Sequence, residues 1–240
     1  MTGASFFDLM NFGPNGWGWA LITAAGVTVM VALAGFSLGA VIGTFGAWAK
    51  ISGRGPIRVA AEVYTTVLRG IPDLLVIFLF YFGGSLALTA VYKFFGGEGF
   101  VSFPGFTAGA LAIGFTSGAQ HTEVFRGAYG AISQGEIEAA KATGMSRMLL
   151  FRRIIMPLLL RYALPGLGNV WQVVLKESAL VSVTGLVELV RQAQLGAGST
   201  REPFSFFLAA AILFLVITFV SNRVFRFSEA YFSRGVRGTR

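Results

Sequence analysis

The chain has 240 residues, of which 55% are hydrophobic and only 12% are charged, and its mean hydropathy is +0.70. Soluble domains carry about twice that charged fraction, so the composition predicts an integral membrane protein. The absence of cysteine excludes disulfides and thiolate metal sites, and a single histidine, His121, argues against a histidine metal site. The net charge of +8 comes from residues between apolar stretches, which favours membrane topology over nucleic-acid binding.

The first apolar stretch predicts a transmembrane helix that stays in the mature chain. Residues 1–10 contain no lysine or arginine, so the basic region of a cleavable signal peptide is missing. No charged residue occurs from Leu9 to Ala49. We expect a span over residues 17–48, with tryptophans near both membrane interfaces.

Small residues in this span predict helix packing. Gly35, Gly39 and Gly43 recur at every fourth position, which lets another helix approach closely. The stretch from Gly35 to Gly39 also matches the Gly-x-Ser-x-Gly turn of hydrolases. Because no strand precedes this stretch and His121 is the only histidine that could act as a base, we reject an intramembrane hydrolase.

Charged residues divide the rest of the chain into an amphipathic elbow and four further spans. Residues 57–69 have the helical periodicity of an elbow lying on the membrane surface, and Pro72 suits the first position of the next helix. One long helix through both would bury Arg69 near the middle of the membrane, at a high cost. We therefore predict one transmembrane domain over residues 1–240, with spans at residues 17–48, 72–92, 103–125, 162–187 and 203–222.

Lysine and arginine set the predicted orientation. Of the nineteen basic residues, the first loop with its elbow contains four, the central polar stretch six and the C-terminal tail five. The positive-inside rule therefore places these regions in the cytoplasm and the N-terminus in the periplasm. We expect the tail arginines to contact lipid headgroups; they are Arg223, Arg226, Arg234, Arg237 and Arg240.

A polar segment over residues 130–158 interrupts the apolar pattern. Its acidic residues, including Glu138, precede basic ones, as expected for a short amphipathic helix, and Gly144 is expected to end that helix. Ser146 is expected to cap a second helix, which Pro157 interrupts where the chain re-enters the membrane. The pattern suits a docking surface, and spacing alone also allows an ordinary solvated loop.

The same segment resembles the signature loop of bacterial ABC-importer permeases. The loop pattern Glu-Ala-Ala-x3-Gly-x9-Ile-x-Leu-Pro is matched over Glu138–Pro157, with Met156 in place of the usual leucine. The likeness extends over most of the chain and is strongest to the histidine, basic amino acid and opine members of the polar amino-acid permeases. The other segments that carry it begin at Arg69 (Arg-Gly-Ile-Pro), Glu123 (Glu-Val-Phe-Arg-Gly-Ala), Ala163 (Ala-Leu-Pro-Gly-Leu-Gly-Asn-Val-Trp) and Leu175 (Leu-Lys-Glu-Ser-Ala-Leu-Val-Ser).

The resemblance implies an all-α, type I ABC importer permease in the bacterial inner membrane. It implies that Glu138, Ala139, Ala140 and Gly144 form a coupling helix that sits in a groove of a cytoplasmic ATPase, with Pro157 in the same signature. The chain has no Gly-x4-Gly-Lys-Ser/Thr segment, so we expect it to bind no cofactor, with ATP and Mg on the partner ATPase. A periplasmic solute-binding protein and a second, homologous permease chain, forming a heterodimer, are also implied.

Charged residues inside predicted spans are candidates for the substrate pathway. Glu177 suits the ammonium or guanidinium group of a basic substrate, and Lys176 suits a residue that offsets or gates it. An ion pair with a neighbouring helix or with the partner permease is the alternative. Asp73 either faces the pathway or is simply stabilised by the dipole of its helix. For His121 we expect a packed, hydrogen-bonded side chain rather than a proton relay.

Together these patterns predict the membrane-spanning permease subunit of an ATP-driven importer for a polar, basic amino acid or an opine. In this interpretation the chain is a transport subunit and no enzyme. The alternative is a self-powered, ion- or proton-coupled amino-acid carrier. Its usual signature is a pair of interrupted spans in two related halves, whereas only the fourth predicted span is interrupted here.

Overall fold

The computed structural model describes residues 5–233, and helices make up most of that range. It contains no strand between these residues, so the prediction of an all-α protein is confirmed. Arg234, Arg237 and Arg240 of the predicted headgroup-binding tail lie outside the described residues. In chain order the helices are α1 (Phe6–Leu9), α2 (Gly18–Ser52), α3 (Pro56–Gly70), α4 (Asp73–Phe94), α5 (Gly105–Gly130), α6 (Gln134–Ala142), α7 (Arg147–Leu150), a π-helical turn (Phe151–Ile155), α8 (Met156–Glu177), a 3₁₀ turn (Ser178–Thr184), α9 (Leu189–Thr200) and α10 (Pro203–Phe232).

Five of these helices have at least 22 residues, and they overlap the five predicted spans in sequence. Helices α2, α4 and α10 are long and apolar enough to cross a membrane, with mean hydropathies of 2.1, 2.2 and 2.5 in their most apolar windows. Helices α5 and α8 are more polar. Helix α5 packs against α2, α3, α4 and α8, so much of its polar surface faces protein.

Helix α3 is the predicted amphipathic elbow. It begins at Pro56, and its buried face, with Ala61 and Thr65, packs against α2 and α5. The Tyr64 hydroxyl donates a hydrogen bond of 2.6 Å to the Phe115 carbonyl of α5. After α3 the backbone is extended at Ile71, and α4 begins at Asp73, one residue later than predicted. The break therefore separates the elbow from the following apolar helix.

Glycines allow the close contact of α2 with α5. A Cβ atom at Gly35 would lie 2.6 Å from the Ile113 side chain, and one at Gly43 would overlap His121. Such short distances cannot be accommodated without movement of the opposing helix. The prediction that these glycines form a helix-packing face is confirmed. The hydrolase-like stretch that shares them lies inside α2, without the strand that its catalytic turn requires.

We expect Gly43→Ala to lower the thermal stability of the protein, because overpacking a tight helix contact costs about 1–3 kcal/mol. Gly26→Ala is the matched control, since Gly26 lies in the same helix with no atom within 4 Å of its added Cβ. The measurement is the melting temperature of each variant in mild detergent, read from the monodisperse fraction after heating. Equal melting temperatures for the two variants would contradict the close contact.

Candidate coupling module and substrate cavity

Helix α6 has the sequence signals that start and end a short polar helix. The backbone N–H of Ser133 donates to the Glu136 carboxylate (3.3 Å), which stabilises the first turn. The helix ends before Gly144, whose φ of +76° is the left-handed conformation that glycine adopts most easily. The Ser146 hydroxyl then accepts a hydrogen bond of 3.4 Å from the Leu149 N–H at the start of α7. The predicted end at Gly144 and the predicted cap at Ser146 are confirmed.

The predicted coupling residues in and after α6 differ in their exposure. Glu138, Ala139 and Gly144 are exposed. Ala140 is only 5% exposed and belongs to a small hydrophobic cluster that includes Leu150 of α7. The small size of Ala140 therefore serves packing within the chain, and Ala139 is the alanine available to a docking partner.

The helix after Ser146 is not interrupted at Pro157, contrary to the prediction. It passes from α7 through the π-helical turn Phe151–Ile155 directly into α8, and Pro157 lies in the first turn of α8. Proline lacks the N–H for an α-helical bond and its ring collides with the carbonyl four residues before it. The wider π-helical turn accommodates both effects. A continuous helical segment thus joins the coupling module to α8.

Pro157 also borders a cavity of about 530 Å³ between α6 and α8. Ala139 and Ala140 line the same cavity from α6, and Arg153 and Arg161 line it from the other side. The structure therefore brings three of the five predicted coupling residues to one cavity. Glu138 and Gly144 are not among its lining residues.

A second cavity, of about 430 Å³, lies where the end of α3 and the start of α4 meet α5 and α8. Its wall combines one basic residue and two acidic residues with three neutral side chains that form hydrogen bonds. We call it the central cavity. Its polar lining residues are Arg69, Asp73, Thr116, Gln120, Glu123 and Asn169.

Two of the three predicted pathway residues lie together at this cavity: Asp73 lines it, and Glu177 lies against Asp73 without being a lining residue. The carboxylate of Glu177 interacts with Asp73 of α4 and with Thr116 of α5. Glu177 is 6% exposed, and its Oε2 atom has no hydrogen-bond partner within residues 5–233. No lysine or arginine of that range forms an ion pair with Asp73 or Glu177. Two neighbouring carboxyl groups without an ion-pair partner form a site at which an additional positive charge is favourable.

Lys176 does not share this environment. Its side chain is exposed, and it forms no ion pair with Glu177 among the described residues, although its positive charge attracts the Glu177 carboxylate from a longer distance. Residues 176 and 177 point in different directions because successive positions on a helix are about 100° apart. The three pathway candidates are therefore one adjacent acidic pair and one outward-facing lysine.

His121 is a packed core residue. It is fully buried, its Nδ1 atom lies 2.8 Å from the Ser117 carbonyl, and its ring stacks edge-on against Phe36 with 4.7 Å between centroids. The prediction of a packed, hydrogen-bonded histidine is confirmed.

Most of the polar wall of the central cavity was not predicted from the sequence. Thr116, Gln120 and Glu123 lie at spacings of four and three residues, which places them on one face of α5. A polar stripe at that spacing within a predicted span could have indicated this wall. Asn169 faces the cavity from α8 and had no comparable local signal.

Comparison with known proteins connects this architecture to transport. Residues 39–234 match the family described as binding-protein-dependent transport system inner membrane component. The chain is 58% identical to the octopine transport system permease protein of Rhizobium radiobacter over 232 residues, which are 97% of this chain and 98% of that protein. It is 46% identical to the nopaline transport system permease protein of Agrobacterium fabrum (strain C58 / ATCC 33970) over 230 residues, 95% of this chain and 98% of the relative. The histidine/lysine/arginine/ornithine transport system permease protein of Escherichia coli (strain K12) is 42% identical over 222 residues, with coverages of 92% and 97%.

Solved structures agree with this relationship. A crystal structure of an amino acid ABC transporter with histidines superposes with a TM-score of 0.78 at 30% identity, covering 96% of this chain and all of the other. The inward-facing methionine ABC transporter has the same fold, with a TM-score of 0.64 at 18% identity over 88% of this chain and 97% of that one. The chain therefore belongs to the inner membrane components of binding-protein-dependent transport systems, and it is a permease subunit of an ABC importer.

Proposed function

We propose that this permease imports basic amino acids, or opines that carry a guanidinium or ammonium group, and that the central cavity binds them. The observation that carries the proposal is the adjacent pair Asp73 and Glu177, which forms no ion pair with a lysine or arginine within residues 5–233. A substrate cation that reaches both carboxyl groups forms charge-assisted hydrogen bonds, which are about twice as strong as neutral ones.

The remaining polar wall suits the other end of such a substrate. Arg69 lines the same cavity and forms no ion pair among the described residues, so it is available to a substrate carboxylate. The Gln120 and Asn169 amides supply both donors and acceptors. The names of the octopine, nopaline and histidine/lysine/arginine/ornithine relatives support the same substrate class.

We further propose the assembly around this chain. The exposed face of α6, with Glu138 and Ala139, docks on a cytoplasmic ATPase subunit that binds ATP and Mg, while this chain binds no cofactor. A homologous permease completes a heterodimer, and a periplasmic solute-binding protein delivers the substrate. The N-terminus is periplasmic and the C-terminus cytoplasmic, which the distribution of lysine and arginine supports. The family gives no support to a self-powered carrier.

The test is reconstitution of the permease in liposomes with its ATPase, its permease partner and its binding protein. We expect ATP-dependent uptake of radiolabelled L-arginine or octopine, and no uptake of L-glutamate. Omitting the ATPase is expected to abolish uptake. Equal uptake without the ATPase, or uptake of glutamate in preference to arginine, would contradict the proposal.

A further inference from the structure

A buried lysine lies behind one wall of the central cavity. Lys50, in the last turn of α2, is 6% exposed. Its Nζ atom lies 2.6 Å from Glu123 Oε1, 2.7 Å from Thr65 Oγ1 and 2.8 Å from Glu62 Oε2. An ammonium group has three hydrogen-bond donors, so all of them are used.

Both carboxylate oxygens of Glu123 are occupied as well. Oε1 accepts from Lys50, while Oε2 accepts from the Nε and Nη2 atoms of Arg126 at 2.9 Å and 2.8 Å. Glu123 lines the central cavity and is therefore an acid in its wall whose charge is already compensated from behind. A substrate cation gains little from Glu123 unless Lys50 or Arg126 moves away.

This environment differs from that of Asp73 in the cavity wall and of Glu177 beside it. Asp73 and Glu177 form no ion pair in the described part of the chain, although the charge of Lys176 acts on Glu177 from a longer distance, whereas Glu123 forms two ion pairs. Lys50 is the more buried of these two partners, because the side chain of Arg126 is 51% exposed and that of Lys50 only 3%. A buried charge is screened far less by solvent than an exposed one, so the charge of Lys50 compensates Glu123 with less screening than that of Arg126.

We propose that Lys50 is a specificity-determining residue, which acts through Glu123 and limits the negative charge that the cavity presents to its substrate. With Glu123 neutralised, the cavity presents Asp73 and Arg69 in its wall with Glu177 against Asp73, a set that matches a substrate with a cationic end and a carboxylate end. Without Lys50, Glu123 keeps Arg126 as its ion-pair partner but loses the buried one, so the cavity wall gains negative charge. The inference rests on the proposed function, because it assigns a role to a residue behind the proposed substrate cavity.

The predicted effect is a change in charge preference. We expect Lys50→Gln to improve binding of agmatine, which is arginine without its carboxylate, relative to L-arginine by about tenfold, since an uncompensated charge at cavity distances has an effect of this order. Glutamine keeps a hydrogen-bond donor for Thr65. The measurement is competition by agmatine and by L-arginine against radiolabelled L-arginine on the purified, intact transporter without its binding protein.

Two further variants separate this role from a structural one. Glu123→Gln leaves Lys50 partly uncompensated, so the agmatine preference is expected to move in the opposite direction. The double variant Lys50→Gln/Glu123→Gln removes both charges and is expected to return to the wild-type ratio. Arg54→Gln is the control, because it removes an exposed positive charge four residues after Lys50 and leaves Glu123 paired.

The binding measurements distinguish a failure of the role of Lys50 from a failure of the proposed function. Parallel loss of affinity for both ligands in Lys50→Gln, or a double variant that keeps the shifted ratio, would overturn the role of Lys50. If Lys50→Gln does not reach the membrane, Glu123→Gln alone tests the role of Lys50. An unchanged ratio of agmatine to L-arginine affinity in Glu123→Gln would contradict that role. Absence of L-arginine binding by the wild-type transporter would instead overturn the proposed function.

Discussion

Glu138→Lys is expected to abolish transport while the protein remains folded in the membrane. Glu138 is exposed on α6 and forms no ion pair within residues 5–233, so the fold does not depend on its charge. In the proposed docking of α6 on an ATPase, the reversed charge meets a basic partner surface. A charge central to an interface contributes several kcal/mol, so we expect ATP-dependent uptake to fall on the order of a hundredfold.

The measurements are uptake by proteoliposomes, substrate-stimulated ATP hydrolysis and the amount of permease in the membrane. Both activities are expected to fall in parallel, because the ATPase no longer docks. Glu98→Lys is the matched control, since it makes the same charge change at an exposed residue in the loop after α4, on the opposite predicted side of the membrane. Normal uptake by Glu138→Lys would show that α6 does not dock through this face.

Gly144→Val tests the geometry of the same helix rather than its charge. A β-branched residue at φ +76° is strained by about 1–3 kcal/mol. We expect the chain to leave α6 in another direction, so that coupling is lost although Glu138 is unchanged. Gly127→Val is the control, because Gly127 is exposed near the end of α5, has no positive φ and has nothing within 4 Å of an added Cβ.

Signals that are local in the sequence predicted much of this structure. The end of α6 at Gly144 and the start of α7 at Ser146 follow from backbone and capping preferences of single residues. The glycines of α2 likewise predicted close packing, because a repeat of four residues places them on one face. None of these inferences required knowledge of which helices are neighbours.

Inferences that depend on neighbours were incomplete. Nothing near Asp73 in the sequence indicates that Glu177 lies beside it, because the two belong to different helices. The exposure of Ala140 also could not be predicted, since its burial depends on contact with α7. At Pro157 the local rule for proline predicted a break, but the preceding π-helical turn absorbed the strain. The polar wall of the central cavity is the product of such tertiary contacts.

Asp73→Asn and Glu177→Gln are each expected to weaken binding of L-arginine by about ten- to a hundredfold. Hydrogen bonds to charged groups contribute about 1.5–3 kcal/mol, and each substitution replaces a carboxylate by a neutral amide of the same shape. Because both carboxyl groups are proposed to bind the same substrate cation, the loss of binding free energy in the double variant is expected to differ from the sum of the two single losses. The measurement is equilibrium binding of radiolabelled L-arginine to the purified transporter.

Thermal stability distinguishes this role from a structural one. Two adjacent acids without an ion-pair partner repel each other when both are ionised, so neutralising one removes an unfavourable interaction from the folded protein. The melting temperature of Asp73→Asn in detergent is therefore expected to stay equal to wild type or to rise, while affinity falls. Glu98→Gln, an exposed acid in the loop after α4, is expected to change neither quantity. A group that is kept for binding destabilises the folded protein while its site is empty, so its neutralisation does not lower the melting temperature. A fall of both affinity and melting temperature in Asp73→Asn would therefore mean that Asp73 supports the fold rather than the substrate.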